Sequence, residues 1–181
     1  RRIDSVTKNR FLDMNHLQGQ DNSMIAYGAF HEDALIAVIT FDDKRSMTSG
    51  IDEGTFELTR FCTNMSTRCA GIMSKMMNVF IKEMSPKKII SFADRSYIMG
   101  TNNIYEKMGF VLEKVLPPDF KYVDRKSHNL KRLHKFQFGK SSIAKKFPHI
   151  YDPLKTEWQM MQEAGFDRIW DCGKFRYVMT L

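Results

Sequence analysis

Four residues stand out by type and position as able to move a proton or hold an anion. Asp94 follows a short apolar run, residues 88–93, that reads as a buried strand. Loops at the carboxyl ends of parallel strands are where α/β sheets bind ligands, so Asp94 is a candidate base or orienting group; a loop-capping aspartate is the competing explanation. His16 lies in Asn15-His16-Leu17-Gln18-Gly19, among amides and a glycine. Polar groups gathered on a loop touch ligands more often than they serve a core. Tyr105, in Asn103-Ile104-Tyr105-Glu106-Lys107-Met108-Gly109-Phe110, is a phenol on a short helix, equally able to pack its ring inward. Arg60 sits on an otherwise apolar strand and needs an anionic partner, either a ligand or a carboxylate such as Glu57 or Asp94.

The elements that must carry these groups follow from periodicity. Residues 7–14 read as a helix with Phe11 and Leu12 as its apolar side, ending near Asn15-His16. Residues 24–30 and 34–41 are strand-like runs about His31-Glu32-Asp33, a hairpin. Residues 44–54, rich in Ser, Thr, Asp and Gly, form a loop. Residues 55–63 alternate as a strand, with Phe56, Leu58 and Arg60 on one side and Glu57, Thr59 and Phe61 on the other. From Gly71, the positions Ile72, Met76, Val79, Phe80 and Met84 recur at helical spacing until Pro86, and this Met-rich face reads as core. After the run 88–93 and a loop over 94–101, Ile104, Tyr105 and Met108 share a helical face. Gly109 then supplies the positive φ of a helix stop, and Phe110-Val111-Leu112 starts a strand running to residue 115. Strand, helix and strand at this spacing predict a parallel crossover within a mixed sheet. Beyond Pro117-Pro118 come two basic strand-like runs, 120–123 and 133–138, and a helix over 156–164 capped by Thr156 and stopped by Gly165. A last hairpin joins 168–172 to 175–179 through Gly173-Lys174.

At 181 residues and 43% apolar, the chain can bury one sizeable core. One domain with an appendage is expected: a core over residues 1–116 and a basic extension over 117–181. No apolar run approaches the ~18 residues of a membrane span and no signal-peptide pattern opens the chain, so a soluble, cytoplasmic protein without membrane contact is expected. The opening at Arg1 reads as a processed chain or a piece of a longer one, with an upstream domain plausible. Cys62, Cys69 and Cys172 lack CxxC or Cys/His spacing, which predicts reduced, mostly buried thiols and neither disulfides nor a metal site. The net charge of +7 suits a polyanion. Between Lys121 and Lys146 many cations alternate with Phe120, Tyr122, Phe136, Phe138 and Phe147, a pattern of nucleic-acid contact or of a plain solvated basic face. No acidic cluster resembles a two-metal nuclease site.

Taken with Arg68-Cys69-Ala70-Gly71, the Tyr105 segment resembles the two halves of the acyl-CoA site of the GNAT superfamily of N-acyltransferases. The resemblance covers residues 3 to about 115. It implies an α/β (α+β) fold: a GNAT-like mixed, mostly antiparallel twisted sheet with a central parallel splayed pair and flanking helices, here with the basic C-terminal extension. It implies acetyl-CoA or another acyl-CoA as cofactor, with Arg68, Cys69, Ala70, Gly71 and Asn103 binding it and backbone N–H groups at a helix N-terminus holding the pyrophosphate. The family's loop reads Arg/Gln-x-x-Gly-x-Gly/Ala. Here Met73 takes the third place, setting a large side chain against the close backbone approach that phosphates require. Without the family, Arg68 and Gly71 are an ordinary loop entering a helix. Tyr105 stands where many members place a tyrosine that protonates the departing thiolate. A phenol of pKa ~10 can donate to a thiol of pKa ~8.5 without itself ionising. Asp94 or His16 would assist removal of the amine proton.

A narrower resemblance, of order and a few residues, is to phage Mom-type proteins, which have a GNAT-like fold and modify adenine in phage DNA. It rests on His16 and its polar loop, the hairpin, Glu57-Leu58-Thr59-Arg60-Phe61, Ala93-Asp94 and the Tyr105 helix. Residues 15–19, 59–63 and 156–173 also resemble a C-terminal domain of phage proteins, some with an upstream homing-endonuclease-type nuclease. Together these imply a phage-type transferase that modifies a nucleobase amine in DNA, with Arg60, Lys121, Lys131, Arg132 and Lys135 expected to contact nucleic acid. The alternative is a non-catalytic DNA-binding module accompanying a nuclease domain.

Overall fold

The computed structural model describes residues 1–43, 53–98, 101–127 and 131–181. The loop expected over residues 44–54 lies almost wholly outside the described residues, as does the Met99-Gly100 part of the loop expected over 94–101. The chain divides into two compact units: Arg1–Ala93, Tyr97–Val115 and Phe175–Leu181 form one, Asp94–Ser96 and Leu116–Lys174 the other.

In the first unit, α1 (Ser5–Asn15) starts at Asp4, whose carboxylate accepts the Thr7 N–H at 2.8 Å and so satisfies one orphan donor of the first turn. The expected hairpin forms as β1 (Ile25–His31) and β2 (Ala34–Asp43), and β3 (Thr55–Thr63) pairs antiparallel to β2. Helix α2 (Ile72–Met84) crosses to β4 (Lys88–Asp94), which lies parallel to β3. After α3 (Ile104–Lys107) comes β5 (Val111–Leu116). The chain's last strand, β9 (Lys174–Thr180), inserts between β4 and β5, giving the order β1-β2-β3-β4-β9-β5. The parallel neighbours are therefore β3 and β4, joined by α2. The segment β4-α3-β5, from which a parallel crossover was expected, joins strands that are not adjacent.

One face of this sheet carries the main core, where Met73, Met76, Met77 and Phe80 of α2 pack on Phe41, Phe56, Leu58 and Ile89. Phe80 stacks flat on Phe41 at 3.6 Å between ring centres. On the other face Phe11 and Leu12 of α1 bury against Val38. Alternation in β3 breaks at Thr59: Leu58 opposes Phe41 and Arg60 opposes Thr40, so Thr59 is the extra residue of a β-bulge. The bulge reverses the expected sidedness beyond it. Phe61 joins Phe56 and Leu58 on the α2 face, while Arg60 turns to the α1 face beside Thr40.

The second unit is built on β6 (Phe120–Asp124), flanked by antiparallel β7 (Arg132–His134) and β8 (Phe166–Trp170). A 3₁₀ turn (Lys135–Phe138), α4 (Lys140–Lys146) and α5 (Glu157–Glu163) complete it. Its own core holds Tyr122, Phe138, Ile143, Met160, Met161 and Phe166. Helix α5 begins with the expected Thr156 cap, as a full capping box with Gln159. Three sequence expectations are corrected here. The run 133–138 is a short strand and a 3₁₀ turn. The final hairpin does not exist, because β8 and β9 belong to different sheets. The basic stretch is not a C-terminal extension over 117–181, because residues 175–181 return to the first sheet, making it an insertion between β5 and β9. The return needs Gly173, at φ 82°, where a Cβ would lie 2.4 Å from the Leu116 carbonyl oxygen. Of the cysteines, Cys69 and Cys172 are exposed and only Cys62 is partly buried, contrary to the expectation of buried thiols. No helix among the described residues is long and apolar enough to cross a membrane.

Candidate functional site

Strands β3 and β4 are paired only from Thr55 and Lys88 to Leu58 and Ser91, although both run further. The Ser91 hydroxyl donates to the Leu58 carbonyl at 3.0 Å at the last rung, and the Thr59 bulge follows at once. Added twist at a bulge turns β3 away from its neighbour and opens the sheet.

Beyond β3 the chain makes a tight Asn64 turn, with the Ser66 N–H and hydroxyl both donating to the Asn64 side chain, and reaches α2 through Arg68, Cys69, Ala70 and Gly71. All four are exposed. Gly71 takes the N-cap position at φ 73°, a left-handed conformation that favours glycine. No side chain caps α2 and no acidic residue occupies its first turn. The helix therefore presents backbone N–H groups and the positive end of its dipole without an internal counter-charge. This N-terminus opens on a cleft of about 240 Å³ walled by Phe61 and Thr63 of β3, Cys69, Gly71 and the first turn of α2, and Ile104, Lys107 and Met108 around α3. The obstruction expected from Met73 does not arise. Its side chain is 6% exposed and joins the core with Met76 and Phe80, so it floors the cleft and leaves the loop open.

Asn103 does not reach into this cleft as a ligand. Its Oδ1 caps α3 by accepting the Tyr105 and Glu106 N–H groups, and its Nδ2 donates to the Tyr177 hydroxyl at 2.8 Å. Tyr105 stacks on Tyr177 at 4.7 Å and meets Phe110 edge-on. Its phenol faces Ser91, the residue at which β3 and β4 part. Burial raises its pKa above the ordinary phenol value, the Ser91 hydroxyl opposes the rise, and Tyr177 adds to it. The group is thus a neutral donor at physiological pH.

The other two proton-transfer candidates each accept a backbone hydrogen bond from the loop that follows them. Asp94 accepts the Ser96 N–H at 2.8 Å, the loop-capping role. His16 ends α1, and its Nδ1 accepts the Gln18 N–H at 3.1 Å. A neutral imidazole accepting at Nδ1 carries its proton on Nε2, so His16 offers a donor and not a free base. Burial and then the Arg60 charge lower its pKa, against a weaker opposite pull from Asp21, which keeps it neutral. Arg60 is half-buried on the α1 face. It donates to the Thr59 carbonyl at 2.8 Å, and its buried Nε has no hydrogen-bond partner.

Sequence reasoning missed Asp21 and Lys8. Lys8 is 2% exposed, donates to the Asp21 and Ser23 carbonyls at 2.8 and 2.9 Å, and pairs with the Asp21 carboxylate at 2.9 Å. The other Asp21 oxygen accepts from Thr40 at 2.9 Å and from the bulged Thr59 at 2.8 Å. Desolvation would raise the Asp21 pKa, but hydrogen bonds from Ser23, Lys8, Thr59 and Thr40 outweigh it and hold it at about 2. The signal was present: Lys8 precedes Phe11 and Leu12 by three and four residues, on the face of α1 that is buried.

In the second unit, Lys121 and Arg132 share one face of the sheet, opposite His134 and Val123 in the ladder. Lys131 is exposed beside them in sequence. Lys135 lies elsewhere, paired with Asp119 at 2.5 Å and seated over the rings of Phe120 and Phe136. The expected nucleic-acid residues thus do not form one cluster, and Arg60 belongs to the other unit.

No protein-family model matches this sequence, and a search of curated proteins finds no match. Solved structures do resemble it. An IAA acetyltransferase from Bacillus cereus superposes with a TM-score of 0.54 at 16% identity, covering 100% of this chain and 97% of the other. A Bacillus subtilis acetyltransferase in complex with CoA and a GNAT family acetyltransferase from Elizabethkingia anophelis with acetyl-CoA bound each give 0.48 at 14% identity, covering 98% of this chain and 84% of theirs. The fold is of the GNAT type: a mostly antiparallel sheet with one splayed parallel pair and flanking helices.

Proposed function

We propose that this chain is a GNAT-fold N-acyltransferase that takes an acyl group from acetyl-CoA or a related acyl-CoA and places it on a nucleobase amine in DNA. The observation that carries the donor half is the uncapped N-terminus of α2, entered through Gly71 and opening on the cleft beside the parted strands. Backbone N–H groups there suit a pyrophosphate, and Met73, folded into the core, leaves them accessible. Bound acyl-CoA supplies an activated thioester. The chain's own contribution is to seat the donor along the cleft and to hold a proton on the Tyr105 phenol for the leaving thiolate. His16 presents a donor, so the amine proton leaves through solvent or by a route that His16 only orients. The acceptor half rests on the +7 charge, the basic aromatic insertion and the sequence resemblance to phage Mom-type proteins. A target base must leave its stack to be acylated.

A second reading, a non-catalytic DNA-binding module that accompanies a nuclease domain, is favoured by one observation: Tyr105 is stacked on Tyr177 inside the core edge, and its ring is not among the walls of the cleft. Calorimetry with acetyl-CoA separates the two. Micromolar binding supports the transferase, and none at millimolar ligand leaves the module. Mass spectrometry of nucleosides from DNA treated with protein and acetyl-CoA then tests the acceptor. Acylated protein or small amines with unmodified nucleosides would refute the nucleobase assignment while keeping acyl transfer.

A further inference from the structure

The second unit holds two adjoining cavities that share Trp158 and Arg168 as a common wall. One, of about 610 Å³, is bounded also by Phe120, Lys135 and Phe136; the other, of about 370 Å³, reaches Trp170. Both lie within the range of ligand clefts. Their walls are rich in flat rings and carry two cations, Lys135 and Arg168, beside two carboxylates, Glu157 and Asp167. The Arg168 guanidinium lies between Phe120 at 4.1 Å and Trp158 at 4.5 Å, and Phe120 in turn touches Trp170 at 5.1 Å. Lys135 lies over both Phe120 and Phe136. Two of these rings face solvent to a degree unusual for large apolar groups: Phe136 is 79% exposed and Trp170 58%.

The carboxylates at the groove are already engaged. Glu157 accepts the Tyr122 hydroxyl at 2.8 Å, Asp119 is paired with Lys135, and Asp167 with Arg125. Each carboxylate has a donor. Arg168 gives one N–H to the Tyr122 hydroxyl at 3.1 Å, and its buried Nε has no partner. A site of exposed rings around a stacked guanidinium suits a chain of flat groups joined by anions.

We propose that this groove binds single-stranded nucleic acid, with unpaired bases stacked on Phe136 and Trp170 and a phosphate drawn to Arg168. Unpaired bases expose the π-faces that a duplex keeps stacked, so a single strand is the form this surface selects. The proposal deepens the functional reading above, on which it rests for nucleic acid as the partner, and gives that enzyme a means of holding the strand from which a base has been released. It does not require acyl transfer.

Both tryptophans of the chain, Trp158 and Trp170, line the groove, so tryptophan emission excited beyond the tyrosine absorption band reports on it alone. Titration with a short oligothymidylate should quench that emission saturably, with an affinity that falls as salt rises, and a duplex of equal length should bind more weakly. Phe136→Ala removes an exposed ring and should weaken binding roughly 5- to 150-fold without shifting Tm, while Phe136→Tyr should restore it. No quenching, equal affinity of Phe136→Ala, equal affinity for duplex, or quenching by a polyglutamate peptide as strong as by the strand would each overturn the proposal. Strand binding seen by anisotropy of a labelled oligonucleotide without any tryptophan response would overturn it too, by placing the strand elsewhere. Failure of acyl transfer would register in the nucleoside and calorimetric measurements and leave this signal intact.

Discussion

The donor site can be tested with one pair of substitutions at Gly71, because that position has room but an unusual backbone. An ideal Cβ there meets nothing within 4 Å, and φ is 73°. Asn and Asp both tolerate the left-handed region, so Gly71→Asn and Gly71→Asp differ by little except one negative charge at the mouth of α2. That charge interacts with two things. It favours the helix dipole by about 0.3–1 kcal/mol, which raises Tm by roughly 1–4 °C relative to Gly71→Asn in a domain of this size. It repels a bound pyrophosphate: at about 6 Å and an effective dielectric between 20 and 80, one charge pair costs roughly 0.7–3 kcal/mol. Acetyl-CoA should therefore bind Gly71→Asp about 3- to 150-fold more weakly than Gly71→Asn. Thermal unfolding and calorimetry on the same two samples read the opposed signs. Equal acetyl-CoA affinities would refute phosphate binding at this helix, whatever the stabilities do.

Other consequences follow from single groups. Tyr105→Phe should cut turnover by roughly 10²–10⁴ while the acetyl-CoA Kd stays within a few-fold, measured by steady-state kinetics and calorimetry; an unchanged rate removes the acid role. Because burial raises the Tyr105 pKa, no loss of rate from its ionisation should occur as pH rises through the ordinary phenol value of 10.0. Asp21→Asn strands the Lys8 ammonium in the core and should cost about 3–5 kcal/mol in chemical denaturation. In the unaltered protein Asp21 has a folded pKa near 2 against an ordinary 3.8. The unfolded state binds its proton first on acidification, so the stability Asp21 contributes is complete above about pH 5 and is lost as pH falls through 4 to 2; flat stability across that window would contradict the network. The His16 imidazole should titrate below its ordinary value of 6.5 by NMR, and His16→Ala should leave the acid limb of the rate profile in place.

The local elements were legible because they rest on short-range rules. The Met-rich period from Ile72 to Met84, the Thr156 cap and the glycine stop after Tyr105 each depend on residues within a turn of one another. Position in the sheet does not. Residues 174–180 have the same local texture whether they hairpin with β8 or cross into another sheet, and only the packing of Tyr177 and Met179 in the first core decides it. The Thr59 bulge is equally silent in sequence, since its stabilising partners Asp21 and Thr40 lie 38 and 19 residues away. Yet that one extra residue reverses the side on which Arg60 and Phe61 project.

For the site, the residues alone gave a loop entering a helix and a short helix with its stop, and only the family resemblance joined the Arg68–Gly71 loop to Tyr105; the structure sets Cys69 and Gly71 in the cleft wall and leaves the Tyr105 ring out of it. Roles that depend on which hydrogen bonds are already spent had to await the tertiary structure. One Asp94 oxygen is committed to Ser96, the His16 Nδ1 to Gln18, and both ends of the Asn103 amide to α3 and Tyr177. Met73 shows the same division from the other side: its size was evident from the chain, but its direction into the core was fixed by the rotation of α2 over the sheet.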